Sequence, residues 1–324
     1  MFFRGPMSIQ SDIFSRRLLV PRPLAKMPLP SSRETHLWYV LPDEVKSPLL
    51  LNQYLELLSP TERDNALRMN GDNLQKGTLL SRTLLRTTLA RYTDHKASPR
   101  SLEFIINRFG KPEVQWPCDG NWTPPPLHFN VSHTSSLIAC AVTADIPIGL
   151  DVLEKHRQLK SNILSFARRY FAPSEVEFLS SFTDPETRRR EFLKLWTLKE
   201  AYVKALGRGF SGAPFRHFAI QFKAGATEES TDPNSDVHPE IALSIEPSGD
   251  AQLLTADWQF ALFELASSHH AAICVKKSGE MNDATTGEDP LRLKVWKVVP
   301  SVSEEFVSGT DQVLTINGIL NSQG

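Results

Sequence analysis

The chain has 324 residues, 40% of them hydrophobic, enough for about two ordinary domains with a real core, which excludes a disordered protein. Lys+Arg 36 against Asp+Glu 37 gives a formal charge of -1, so no global field draws the chain to nucleic acid or to an anionic membrane, and any anion site must be local. No apolar run reaches the roughly 20 residues of a membrane span. The three cysteines, Cys118, Cys140 and Cys274, are far apart and odd in number, as expected of small buried hydrophobes in a reducing compartment.

Residues 1–35 read as a tail. Its first thirty residues carry Arg4, Arg16, Arg17, Arg22 and Lys26 against one acid, Asp12, with several Ser and Pro. That is the composition of a transit peptide, and a short basic amphipathic stretch from Ile13 to Val20 favours the mitochondrion. The cytosol, through an internal start at Met27, and the plastid are the alternatives.

His36 to Leu41 reads as a strand, aromatic and β-branched and ended by Pro42. Ser59, Pro60 and Glu62 then open a helix, as N-cap, first helical residue and capping-box acid. A longer helical run passes through Leu79, Leu80, Leu84 and Leu85 to Tyr92, with Arg68, Thr78, Arg82 and Arg86 along it as a basic run whose default is a solvated face. Ser101 to Ile106 is a short strand, and a Pro-rich loop from Gly120 leads into His128 to His133. Two apolar strands, Leu137 to Val142 and Ile148 to Val152, are split by a turn ending at Pro147, which divides a half at 36–146 from a half at 147–277.

The second half reads as helices at about Ile163 to Tyr170 and Ser174 to Phe182, a short helix around Trp196, and strands near Phe218, Ile241, Phe260 and Ala271 to Val275. The two closing strands are alike, a weak sign of duplicated halves. Residues 223–238 read as an acidic exposed loop and 278–324 as a linker and extension, in which Leu291 to Val298 alternates like a strand. The extension has no assigned place.

Two acids stand out. In the run from Trp196 to Gly209, Leu195, Leu198, Tyr202 and Leu206 make an apolar stripe, while Trp196, Glu200 and Lys204 lie four apart on a neighbouring face. A carboxylate flanked by Lys199 and Lys204 suits a divalent cation and anionic oxygens; the plainer reading is a solvated i,i+4 pair worth about 0.2–0.5 kcal/mol. Asp151 sits inside an apolar strand, where a buried carboxylate needs a partner or a cation. Gly149 beside it leaves space for a ligand, whereas an arginine or backbone partner would make Asp151 structural. Ser132 and His133 at a strand end and Lys111 in Gly110-Lys111-Pro112 are plausible phosphate contacts.

With Gly110-Lys111-Pro112, Phe129 to His133, Gly149-Leu150-Asp151 and Trp196 to Lys204 in this order, the chain resembles the long, pseudo-dimeric 4'-phosphopantetheinyl transferases, from about Leu37 to Val275. The resemblance implies two similar α/β halves with coenzyme A and Mg²⁺ in the cleft between them. It implies Asp151 and Glu200 as metal ligands and Lys199 and Lys204 as pyrophosphate contacts. Lys111, Ser132, His133, Thr78 and Arg63 are implied as further coenzyme contacts, with Glu200 and Lys204 as the catalytic pair. The implied reaction is attack by a serine of an apo acyl or peptidyl carrier protein on the β-phosphorus of coenzyme A, releasing 3',5'-ADP.

The family often has an acid two residues after the first Asp. Here that position is Leu153, and strand alternation turns the next acid, Glu154, away from Asp151. A site with two protein carboxylates is therefore expected, or else a catalytically weak scaffold that binds coenzyme A or a carrier. Glu62 and Asn65 stand where bacterial relatives often show lysines. Acidic carriers are expected to dock on basic residues such as Arg168, Arg169 and Arg188 to Arg190. One chain holds both halves, so a monomer suffices, with no role for nucleic acid or membrane.

Overall fold

The computed structural model describes residues 25–32, 34–116, 122–159, 161–209, 214–223, 240–244, 258–276, 291–307 and 314–316. The segment before residue 25, where a transit peptide is expected, Cys118, most of the acidic loop and the linker at 277–290 lie outside them. Among the described residues no helix is long and apolar enough to cross a membrane.

The first half begins with β1 (Glu34–Val40), followed by α1 (Pro48–Leu55), α2 (Pro60–Arg68) and α3 (Asp72–Ala90). A hairpin of β2 (Glu103–Ile106) and β3 (Pro112–Gln115) comes next, and the half closes on β4 (Leu127–His133) and β5 (Ile138–Ala144). The second half repeats that plan. β6 (Ile148–Glu154) leads to α4 (Ile163–Tyr170), α5 (Pro173–Ser181) and α6 (Pro185–Leu206), then a hairpin of β7 (Ala219–Lys223) and β8 (Glu240–Ser244), and finally β9 (Trp258–Leu265) and β10 (His269–Lys276). The sheet order is β1-β5-β4 in one half and β6-β10-β9 in the other. The fold is α/β, and the duplication hinted at by the closing strands extends to the order of the elements.

Period-two alternation divides each sheet into two working faces. Leu37, Tyr39, Ala139 and Ala141 of the first sheet meet Ile148, Leu150, Val152, Ala261 and Ile273 of the second in one buried cluster, so the sheets stack face to face. Trp38, Val40, Cys140 and Val142 point the other way onto α3, and Ala272 and Cys274 point onto α6. Both described cysteines are buried thiols, as expected. Asp151 lies on the α6 side of β6 because its parity is that of Gly149 and Leu153.

The short helix expected around Trp196 is the last part of a 22-residue helix, α6. Asp184 caps it by accepting from the Thr187 amide at 2.8 Å, Pro185 follows, and the left-handed Gly207 (φ 62) ends it. Its first turns carry Arg188, Arg189 and Arg190, which hid the helix from an apolar period.

The tail left without a place belongs to both sheets. β11 (Arg292–Val299) runs parallel to β1, with Trp38 paired to Trp296, and β12 (Ser303–Phe306) turns back along it. β13 (Leu314–Ile316) pairs antiparallel with β9.

Candidate active site

The site forms where α6 lies directly on β6. A Cβ at Gly149 would come within 1.9 Å of the Ala201 carbonyl and 2.4 Å of the Ala205 amide. The space beside Gly149, expected for a ligand, is therefore filled by helix backbone. That close approach brings Glu200 and Lys204 over Asp151. β4 crosses against β6 from the other sheet: the Leu150 amide donates to Asn130 Oδ1 at 2.9 Å and the Val152 amide to Ser132 Oγ at 3.1 Å. These side chains satisfy backbone groups on the free edge of β6.

A cavity of about 560 Å³ opens here, walled by Ser132 and His133 of β4, Asp151 and Glu154 of β6, and Trp196, Glu200 and Lys204 of α6. Ser132 Oγ donates to Asp151 Oδ1 at 3.0 Å, and the Lys204 ammonium donates to the same oxygen at 2.6 Å and to Ser132 Oγ at 3.1 Å. Burial raises Asp151 above the ordinary carboxylate range, opposed by Lys204 and Ser132. Burial, reinforced by the neighbouring Asp151 charge, pushes Glu200 up to about 7. No donor among the described residues hydrogen-bonds the Glu200 carboxylate, so its charge has no local compensation except Lys204.

An unpartnered acid and a second acid facing one cavity is the arrangement a small hard cation completes. Carboxylate oxygens with space for water suit Mg²⁺, which keeps much of its hydration. No group of three or more metal-ligating side chains occurs among the described residues, and Asp151 and Glu200 are the acids that could hold such a cation.

Three residues expected at the coenzyme do not line this cavity. Lys199 is fully buried on a different face of α6, donating to Glu175 at 2.7 and 2.8 Å and to the Phe218 carbonyl at 2.7 Å. Helical spacing explains this: one residue from Glu200 is about 100° of rotation, which carries Lys199 into the core. The Lys111 ammonium is also occupied, donating to the Ile148 and Lys204 carbonyls at 3.0 and 2.8 Å. Arg63 is exposed on α2 and pairs with Glu56 at 3.1 Å. Thr78 sits half-buried on α3, one turn before Arg82. Glu62 holds Arg86, whose Nε donates to it at 2.7 Å.

His133 lines the cavity, and desolvation, with Lys204 and Arg82 nearby, lowers its imidazole below the usual value. The sequence places Arg82 on a solvated face; its proximity to His133 needs the fold to be seen. Glu154 also departs from expectation: it lines the cavity, because β6 ends there and Ser135 and Ser136 donate to its carboxylate at 3.0 and 2.7 Å. Arg157 stands at the rim, unnoticed in the sequence because nothing periodic marks it. Of the arginines expected to dock a carrier, Arg188 donates to the Leu179 and Phe182 carbonyls, while Arg189 pairs with Glu186 and donates to the Lys155 carbonyl. Arg190 pairs with Glu191, whereas Arg168 and Arg169 stay exposed.

Residues 147–274, which carry Asp151, Glu200 and Lys204, match the 4'-phosphopantetheinyl transferase superfamily model. The 4'-phosphopantetheinyl transferase HetI of Nostoc sp. is 32% identical over 248 residues, covering 76% of this chain and 89% of that protein. The chain belongs to the 4'-phosphopantetheinyl transferase family. A 4'-phosphopantetheinyl transferase of Bacillus subtilis is 28% identical over 172 residues, 53% of this chain and 70% of its own. The L-aminoadipate-semialdehyde dehydrogenase-phosphopantetheinyl transferase of Mus musculus is 24% identical over 173 residues, 52% of each chain.

Proposed function

We propose that this phosphopantetheinyl transferase moves the 4'-phosphopantetheine arm of coenzyme A to a serine of an apo acyl or peptidyl carrier protein, at the cavity between β4, β6 and α6. The observation that carries the reading is the convergence of Asp151, Glu200 and Lys204 on one cavity, where no donor among the described residues hydrogen-bonds Glu200. The serine oxygen attacks the β-phosphorus, the bond to the bridging oxygen breaks, and 3',5'-ADP leaves.

Such a transfer depends on positioning and on neutralising charge. Mg²⁺ held by Asp151 and Glu200 would supply positive charge at the diphosphate. Lys204 neutralises the departing phosphate, and because it already lies beside Asp151 it needs a small shift to do so. Glu200 is the candidate base for the proton of the attacking serine; its value of about 7 belongs to the metal-free site, because a held cation favours the carboxylate. Ser132 orients Asp151. His133 and Arg82 hold the far phosphate. Arg157 at the rim and Arg168 and Arg169 on α4 support docking of an acidic carrier.

Purified protein incubated with coenzyme A, Mg²⁺ and a panel of apo carriers should add one phosphopantetheine arm to its preferred carrier by intact mass. Binding of coenzyme A with no mass gain on any carrier would favour a scaffold, a reading motivated by Leu153 in place of an acid.

A further inference from the structure

We infer that Lys111 is a positioning residue for the transfer, a strut from the first half that fixes the strand bearing Asp151 against the helix bearing Glu200 and Lys204. The inference rests on the transferase reading above for its kinetic consequence, though not for its structural one.

The Lys111 ammonium donates to one carbonyl on each of those two elements: Ile148, at the start of β6, and Lys204, in the last turn of α6. Both contacts are to backbone. They therefore constrain where the strand and helix run, and with them the three side chains at the cavity. The last four carbonyls of a helix have no partner within it, and a cation there meets both that need and the negative end of the dipole.

The loop that carries Lys111 is itself fixed. Asn107 Oδ1 accepts from the Phe109 and Lys111 amides at 2.9 and 3.0 Å, and its Nδ2 donates to the Gly207 carbonyl at 3.3 Å. The Lys111 stem packs against Gly207, where a Cβ would approach Cδ to 3.1 Å. A loop of one half thus grips the end of a helix of the other at two points. The ammonium is already bonded twice, and the residue is half-buried. Burial also lowers its affinity for its proton, to a value of about 8, so the bonds to the two carbonyls weaken at alkaline pH.

The test substitutes Lys111→Met, which keeps the stem and removes the charge. Residue-resolved hydrogen exchange reads the strut directly: the Gly207 amide, which donates to Val203 and Lys204 at 3.1 and 3.2 Å, should exchange at least about tenfold faster while core strands are unchanged. In transfer assays per folded molecule, kcat should fall about 10- to 100-fold with the KM for coenzyme A within about threefold, as expected when reacting groups are misplaced rather than lost. A large rise in KM with kcat and local exchange intact would overturn the inference in favour of a nucleotide contact. Faster exchange across the whole core with kcat unchanged would overturn it in favour of a general stabilising role. Should Lys111→Met not fold, Lys111→Arg, which keeps a cation of different shape, is read by the same criteria. Wild-type protein that transfers nothing would defeat the transferase reading while leaving the exchange result free to stand or fall.

Discussion

Lys199 and Glu175 are joined in the second half as Arg86 and Glu62 are in the first, and each pair is separated by 24 residues. Both acids sit at the third position of a capped helix that begins with proline, and both cations sit on the long helix that covers the sheet. Five residues further along those helices stand Lys204 and Arg91. Lys204 touches Asp151, 53 residues back. The same distance back from Arg91 is Trp38, and the guanidinium lies 4.4 Å from its ring. The molecule therefore contains the frame of two sites. In the first half Trp38 replaces the Asp and Thr87 the Glu, and Arg91 is paired with Glu304 of the extension at 2.6 Å. At these positions the acids stand in the second half alone.

This equivalence makes Lys199 a structural cation. Lys199→Ala strands Glu175 in the core, a change that costs about 3–5 kcal/mol. Denaturant unfolding should show that loss, and the fraction that remains folded should bind coenzyme A as wild type does. Selective weakening of coenzyme A binding with full stability would restore the pyrophosphate role.

Glu200 gives the metal-free protein a pH dependence. From the ordinary carboxyl value up to about 7, folded Glu200 holds a proton that the unfolded chain has lost. Stability therefore falls as pH rises through that window, by up to about 1.4 kcal/mol per unit before solvent screening. Glu200→Gln should flatten the thermal stability profile between pH 5 and 8 and abolish transfer. An unchanged profile would place the titration elsewhere.

Cation binding must displace that proton. Calorimetry of Mg²⁺ with coenzyme A near pH 6.5, in two buffers of different ionisation enthalpy, should reveal proton release by wild type and much less by Glu200→Gln. Equal release by both would remove Glu200 from the ion's shell.

Lys204→Met should lower kcat by about 10²- to 10³-fold, the loss typical of one charge-stabilising donor. It also leaves Asp151 without its counter-ion, so the Asp151 carboxyl should titrate at higher pH, measurable by NMR. Near-wild-type kcat would exclude Lys204 from neutralising the leaving group.

The extension should be indispensable while its ion pair is not. Truncation after residue 290 bares the edge of β1 and removes Trp296, whose ring stacks on Trp38 with centroids 4.2 Å apart, and should yield aggregated protein. Glu304→Ala, at a partly exposed site, should cost about 1 kcal/mol at most. A stable, active truncated protein would contradict this.

Much of this was legible in the sequence. Asp151 declared itself by standing among large apolar residues, and Ser59-Pro60-Thr61-Glu62 declared its helix through capping chemistry. What stayed hidden depended on contacts between distant elements. Lys199 and Glu200 are neighbours in sequence and lie on different faces of α6; the pattern could not say that Glu175 waits on the buried side. α1 went unseen because its signals, Ser47 and Pro48, precede a run too short to show a period. The place of β11 could not be read because parallel pairing with a strand more than 250 residues away leaves no local trace.

The central claim is that Asp151 and Glu200 jointly hold a divalent cation against the diphosphate of coenzyme A. A crystal structure with coenzyme A and Mn²⁺ in place of Mg²⁺, read by anomalous scattering, tests it most directly. The account predicts one strong peak within coordination distance of both carboxylates and of diphosphate oxygens, with the Lys204 ammonium moved off Asp151 toward phosphate. A peak away from either carboxylate, or diphosphate bound outside this cavity, would contradict it.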